Sequence, residues 1–256
     1  ILFHLGSFPV RAYGVMILIG FFIALRYAMA EARRLQAAGA GPATVTPDQV
    51  FDMSLFGLIA GLIGTRLVYV ALNWEMFAPN PIEIVKIWTG GLSFIGAPIF
   101  GFGFVWFYCR RHRLPFLTVA DIGAPGFALA YTFGRIGCFL NGCCYGAPTS
   151  LPWGVRFHEH GIITPPSHPT QIYAALASLA IFTLLTRLER LNLPSGFMFV
   201  SYLGLYSVYR FLIEFLRKGY SAQVWFGGIT QAQGASIALF LLCVVGLVFV
   251  CGKQRA

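Results

Sequence analysis

Residues 230–251 read TQAQGASIALFLLCVVGLVFVC, a run without a single charged side chain. A helix needs about 20 predominantly apolar residues to cross a bilayer core. Similar runs stand near 13–30, 50–72, 93–109, 116–140, 170–187 and 196–216. They are continuous, whereas a transmembrane strand alternates polarity over about ten residues. The composition agrees: 57% of the 256 residues are hydrophobic, 11% are charged, and the mean hydropathy is +0.73. A soluble domain carries roughly 25% charged residues. A water-soluble globule, a disordered chain and a collagen are thereby excluded. The expected fold is an all-α integral membrane bundle of about seven transmembrane helices. It forms one domain over residues 1–256, with no internal repeat and no linker.

The punctuation of the helices is readable. Thr46-Pro47-Asp48-Gln49 is a capping box with Pro at the first helical position, and His168-Pro169 opens the fifth span. Gly57, Gly61 and Gly64 read as a close-packing stripe. Ala28-Met29-Ala30 imitates a signal-peptide cleavage site. Arg26 interrupts the run before it and Arg33-Arg34 follow as a stop signal, so a retained span is expected.

The net charge of +9 is read as topology rather than as a nucleic-acid surface. Arg33, Arg34, Arg110, Arg111, Arg113, Arg187, Arg190, Lys253 and Arg255 fall on one side. Arg11, Lys86, Arg156, Arg217 and Lys218 fall on the other. The heavier side is cytoplasmic, which places the N-terminus outside and the C-terminus inside. The longest loop, about 143–168, then forms a Pro-rich arm on the outer face, lying on the bilayer or holding short amphipathic segments.

Arg66, Arg135 and Arg210 stand within spans, where an Arg costs at least a few kcal/mol and marks a functional site by default. At 1.5 Å per residue they lie about 24, 28 and 21 Å from the cytoplasmic ends of their helices. All three therefore reach the outer half of the bilayer. Glu214 is the best-placed acid, on one stripe with Tyr206 and Arg210. The positive charge exceeds the negative, so an anion is expected, and at this depth a phospholipid phosphate suits the bidentate guanidinium. Internal salt bridges are the structural alternative. Tyr13, Tyr69, Asn73 and Asn141 lie near the same level.

Cys138, Cys143 and Cys144 admit a thiol nucleophile, a redox pair or, with His158, His160 and His168, a metal set. The C-x4-C-C spacing matches no common zinc motif, so no metal is expected, and small polar packing at a helix end is the plainer reading.

The stretch Gly134-Arg135-Ile136-Gly137-Cys138-Phe139-Leu140-Asn141-Gly142 resembles the signature GRxGNFxNGE of the prolipoprotein diacylglyceryl transferase family. Tyr13-Gly14, Gly64-Thr65-Arg66, Gly90-Gly91-Leu92-Ser93-Phe94, His168–Tyr173, Tyr206–Glu214 and Gly228–Gln233 also look like family segments, in order and over nearly the whole chain. The resemblance implies a multi-pass protein of the bacterial cytoplasmic (inner) membrane with seven spans. It implies transfer of a diacylglyceryl group from phosphatidylglycerol to the lipobox cysteine of a prolipoprotein signal peptide. A thioether forms and glycerol phosphate leaves. No cofactor, no metal and no nucleic acid are implied, and a monomer among membrane lipids is expected. Arg135 and Arg210 match the family's essential arginines. Tyr13 and Tyr206 match cavity tyrosines, Asn141 and Gly142 match the end of the signature, and Glu214 matches the acid that positions its Arg. Arg66 and Ser93 are placed with the substrate.

Three positions depart from the family pattern. Ile95 stands where the catalytic His is usual, Cys138 replaces Asn, and Cys143 replaces Glu. Either the positive field alone lowers the acceptor thiol's pKa, or His168 serves as base at a helix start. A paralogue with another acceptor and a non-catalytic binder of phospholipid or lipoprotein are the alternatives.

Overall fold

The computed structural model describes residues 3–5, 8–39, 45–86, 90–159, 162–191, 193–217, 224–226 and 228–252. His160, Lys218, Lys253 and Arg255 lie outside the described residues. The described helices are α1 (Ala12–Ala37), α2 (Pro47–Leu72), the short α3 (Trp74–Phe77), α4 (Gly96–Arg111), α5 (Phe116–Leu140), α6 (Thr170–Leu188), α7 (Phe197–Glu214) and α8 (Gln231–Gly252). Three two-stranded antiparallel hairpins accompany them: β1–β2 (Phe3–Leu5, Phe8–Val10), β3–β4 (His158–Glu159, Ile162–Ile163) and β5–β6 (Val224–Phe226, Ile229–Thr230).

Helices α1, α2, α5, α6 and α8 are long and apolar enough to cross a membrane. The chain is thus a helical membrane protein. The runs at 93–109 and 196–216 also form helices, α4 of 16 residues and α7 of 18. α7 carries its charges and tyrosines inside the helix, which lowers its apolarity. Much of α8 is greasy and outward-facing, with Leu242, Val248 and Phe249 about 70% exposed, as lipid contact requires.

The chain divides into two compact units, Ala28–Val119 and the remainder. In the first, Thr46 caps α2 as expected. Its hydroxyl accepts from Gln49 N at 3.2 Å, and the Gln49 side chain accepts from Thr46 N at 3.0 Å. α2 packs on α4 through glycine. A Cβ on Gly96 would stand 2.1 Å from the Gly64 carbonyl oxygen, so no other residue fits there. Gly61 and Gly57 line the same seam, which bears out the packing stripe.

In the second unit, Ala124 and Ala128 of α5, Ile181 and Leu185 of α6 and Met198 of α7 form a buried core. Polar groups fix the helices around it. Ser178 donates to Ala128 O at 2.7 Å. The Asp121 carboxylate of α5 accepts from Gly196 N and from Phe199 N, the latter at 2.9 Å. It thereby satisfies donors that the start of α7 would leave orphaned. Gly146 N, Ala147 N and Val155 N tie the 143–168 segment to His168, Leu216 and Ser167. Tyr145 stacks on the buried Phe157. The arm is therefore a folded, partly β-bridged layer, and no helix occurs among its described residues.

Candidate functional site

α5 and α7 bring two arginines to one cluster of tyrosines. Tyr131 and Arg135 are four residues apart on α5. Tyr202, Tyr206, Arg210 and Glu214 repeat at the same interval on α7, so each set lines one helix face. The Arg135 guanidinium lies 4.7 Å from the centre of the Tyr131 ring. Tyr131 meets Tyr206 edge-on at 5.7 Å and Tyr209 at 6.5 Å, and Tyr206 lies 6.0 Å from Tyr209. The charges of both arginines act on Tyr206 and Tyr209. The cage is therefore common to Arg135 and Arg210.

The two arginines are not equivalent. Arg210 Nη1 donates to Glu214 Oε2, and the Glu214 side chain is fully buried. Thr230 Oγ1 donates to the other carboxylate oxygen at 3.3 Å. Thr230 also accepts from Gln233 N at 3.2 Å at the start of α8. Arg210 is thus aimed by a carboxylate that is itself held by the residue preceding α8. Arg135 pairs with no carboxylate among the described residues. Its nearest partners are aromatic faces and phenols, which stabilise a cation without neutralising it. The buried Tyr131 hydroxyl interacts with Arg135 and Tyr209.

Tyr13 packs on α5 at Gly137, where a Cβ would stand 3.2 Å from its ring. Its phenol is within the field of Arg135 and of the three nearby cysteines. Asn141 and Gly142 form the C-terminal cap of α5. Gly142 adopts φ +71° and donates to Phe139 O at 3.1 Å, while Cys143 N donates to Cys138 O at 3.1 Å. This is a Schellman motif, and its left-handed residue is glycine for the usual steric reason. Burial pushes the Cys143 thiol up. A hydrogen bond from the Cys138 thiol pulls that of Cys144 down to about 5, with the charges of Arg135 and Arg217 adding to the effect.

His168 does not cap α6, whose N-cap is Pro169 without a side-chain bond. Its Nδ1 lies 3.4 Å from Tyr173 Oη, which also accepts from Trp153 Nε1 at 2.7 Å. Its backbone pairs with Gly146 and Ala147.

Arg66, Ser93 and Ile95 belong to the Ala28–Val119 unit. Arg66 is 5% exposed, and its own chain surrounds it. Nε donates to Ile84 O at 2.8 Å, Nη1 to Gly90 O and Gly91 O at 2.7 and 3.0 Å, and Nη2 to Glu83 O. The Phe77 ring centre lies 5.1 Å from the guanidinium. A guanidinium has five N–H donors, so little capacity remains for a bidentate ligand. Ser93 precedes α4 and donates its N–H to Thr65 O at 2.9 Å. Ile95 is the N-cap of α4 and is 57% exposed.

Sequence reasoning missed Tyr131, Tyr202, Tyr209, Thr230 and Asp121. Tyr131 and Tyr202 had a signal, the helical spacing to Arg135 and to Tyr206. Tyr209 borders Arg210. Thr230 had one in the Thr-x-x-Gln spacing to Gln233 at the start of α8, whereas Asp121 acts through partners distant in sequence and left none.

Fold and site together are those of a helical membrane protein in which α5 and α7 gather two arginines among tyrosines. The family model for prolipoprotein diacylglyceryl transferase matches residues 1–249. A phosphatidylglycerol–prolipoprotein diacylglyceryl transferase of Aeromonas hydrophila is 37% identical over 244 residues, covering 94% of this chain and 86% of that protein. The Vibrio cholerae protein of that name is 33% identical over 252 residues (97% and 90%), and that of Clostridium tetani 36% over 220 residues (85% and 84%). The chain belongs to the prolipoprotein diacylglyceryl transferase family.

Proposed function

We propose that this protein transfers the diacylglyceryl group of phosphatidylglycerol to the lipobox cysteine of prolipoproteins. Arg135 and Arg210 share one tyrosine cage while Arg135 lacks a carboxylate, and this observation carries the reading. Phosphatidylglycerol supplies the missing anion together with acyl chains for the lipid phase. The acceptor sulfur attacks the glycerol carbon, the S–C bond forms as the C–O bond to phosphate breaks, and glycerol phosphate leaves. The guanidiniums stabilise charge that grows on the departing phosphate, in a site largely shielded from water. Glu214 keeps Arg210 aimed, and Tyr13 and Tyr206 line the substrate path with Asn141 and Gly142. Arg66 contributes by holding the main chain at Glu83, Ile84, Gly90 and Gly91, ahead of Ser93. His168 takes the acceptor thiol's proton, assisted by the positive field that favours thiolate.

The surrounding layout is seven spans in one membrane domain of a bacterial inner membrane, with the N-terminus outside and a monomeric chain. α4 and α7 complete the count, because each is a largely apolar helix whose surface would be penalised in water.

The test is purified protein with phosphatidylglycerol and a lipobox peptide, read by mass spectrometry. The expected product is the peptide with a thioether-linked diacylglycerol. Lipid binding without that product would overturn the transferase reading and leave the second one, a phospholipid binder without turnover. Ile95 favours that second reading, because it puts an alkyl group where a proton acceptor is usual. His168→Ala decides the base: a loss of about 10²-fold or more is expected, and wild-type turnover would remove His168 from the reaction.

A further inference from the structure

The end of α5 gathers thiols in a way that transfer does not use. The Sγ atoms of Cys138, Cys143 and Cys144 all lie within 4.8 Å of one another. All three are free thiols. We propose that they form a three-thiolate site for one soft d10 cation, Cu(I) above all and Zn(II) with one coordination position left open.

The backbone explains why the three converge. In a Schellman motif the residue two beyond the cap meets the side chain at the third position from the helix end. Here those residues are Cys143 and Cys138, joined by the Cys143 N to Cys138 O bond. Cys144 then adopts φ +66°, a left-handed conformation that costs about 1 kcal/mol for a residue with a Cβ. That turn folds its thiol back onto the other two. The strained segment is held from α6: Gln171 Nε2 donates to Cys143 O and Thr170 Oγ1 to Cys144 O, both at 2.8 Å. The arrangement is thus fixed before any ligand arrives.

Distances and chemistry fit a single ion. Sulfurs bonded to one ion at about 2.3 Å stand about 3.8–4.0 Å apart. The three need to close by about an ångström at most. Thiolates select Cu(I) and Zn(II) among common ions, and no fourth Cys, His or carboxylate joins the group among the described residues. Three-coordinate Cu(I) is satisfied by that set, whereas Zn(II) needs water as well. Cys144 is exposed and provides the way in. Each thiol releases its proton to solvent on binding. Three thiolates around a monovalent ion carry a net charge of about −2. Arg135, one turn before Cys138, and Arg217, whose charge acts on Cys144, offset it. A disulfide would use two of these sulfurs and leave the convergence of the third without a role. The site shares the charge of Arg135 with the proposed transfer site, and metal binding is read without any transfer.

The test uses the full-length chain, purified in detergent, reduced and oxygen-free. Cu(I) is titrated against a competing chromogenic chelator, and Zn(II) is titrated separately. One equivalent of Cu(I) is expected, with three sulfur neighbours by X-ray absorption. Cys144→Ser changes an exposed side chain, so folding is not at stake, and it should weaken Cu(I) binding by about 10²-fold or more. Cys138→Ser and Cys143→Ser should do the same. The triple variant Cys109→Ser, Cys243→Ser, Cys251→Ser should bind as wild type. Equal binding by wild type and Cys144→Ser, or only two sulfur neighbours, would overturn the proposal. So would thiol-trapping mass spectrometry showing two of the three joined as a disulfide in native membranes.

Discussion

Arg66 and Arg135 both stand in apolar helices, and their surroundings use the same side chain in opposite ways. Around Arg66 the chain turns four main-chain carbonyls inward, from Glu83, Ile84, Gly90 and Gly91. Its donors are consumed by its own protein, and the charge is spread over carbonyl dipoles and the Phe77 ring. Around Arg135 the neighbours are the Tyr131 ring and further tyrosines, and no described carboxylate answers it. An arginine in a membrane span is therefore not yet a binding site. What decides is whether acceptors within the fold already satisfy it.

The sharpest way to break this contrast is to remove each guanidinium in turn. Arg135→Ala should lower transfer to the lipobox peptide by about 10³-fold while leaving the thermal midpoint in detergent nearly unchanged. A midpoint drop as large as that of Arg66→Ala would make the two arginines alike and undo the distinction. Arg66→Ala should instead destabilise by about 3 kcal/mol, because the carbonyls it satisfies become buried and unpaired. Thermal unfolding in detergent reads this, and any activity loss should follow the folded fraction. Arg66→Lys should recover little, since an ammonium cannot span the fork.

The next pair of experiments grades the site around Arg210. Glu214→Gln keeps an acceptor for Thr230 but removes the charge that aims Arg210. A loss of about tenfold in kcat/KM is expected, corresponding to about 1.4 kcal/mol, and an unchanged rate would show that Arg210 needs no aiming. Asp121→Asn keeps one acceptor at the start of α7 and should cost about 1 kcal/mol, measured as a modest fall in thermal midpoint.

Much of this was legible in the residues. Hydropathy located the helices, and Thr46 with Gln49 announced the start of α2. The intramembrane arginines were visible because so little else in the chain is charged. The division between Arg66 and Arg135 was not legible. Backbone carbonyls carry no residue signature, so nothing in Glu83, Ile84, Gly90 or Gly91 announces that their carbonyls meet a guanidinium. His168 shows the same limit, since its proximity to Tyr173 follows from the path of the chain after Pro169. The thiols were legible as C-x4-C-C but not as a cluster. Their convergence depends on the left-handed backbone of Gly142 and Cys144, and only the glycine advertises such a turn.

The contact between Asp121 and Gly196 has a geometric consequence at its far end. Arg135 follows Asp121 by 14 residues, and Arg210 follows Gly196 by the same number. At the helical rise each leg is about 21 Å long. The two legs start from one hydrogen-bonded pivot and end at the same height, like the arms of a drawing compass. The Asp121 carboxylate at one end of the helix pair thereby sets the level of the two cations about four turns further on. A single inserted residue in either leg would lift one arginine by about 1.5 Å and swing it by about 100°, which takes it out of the cage while every helix stays intact.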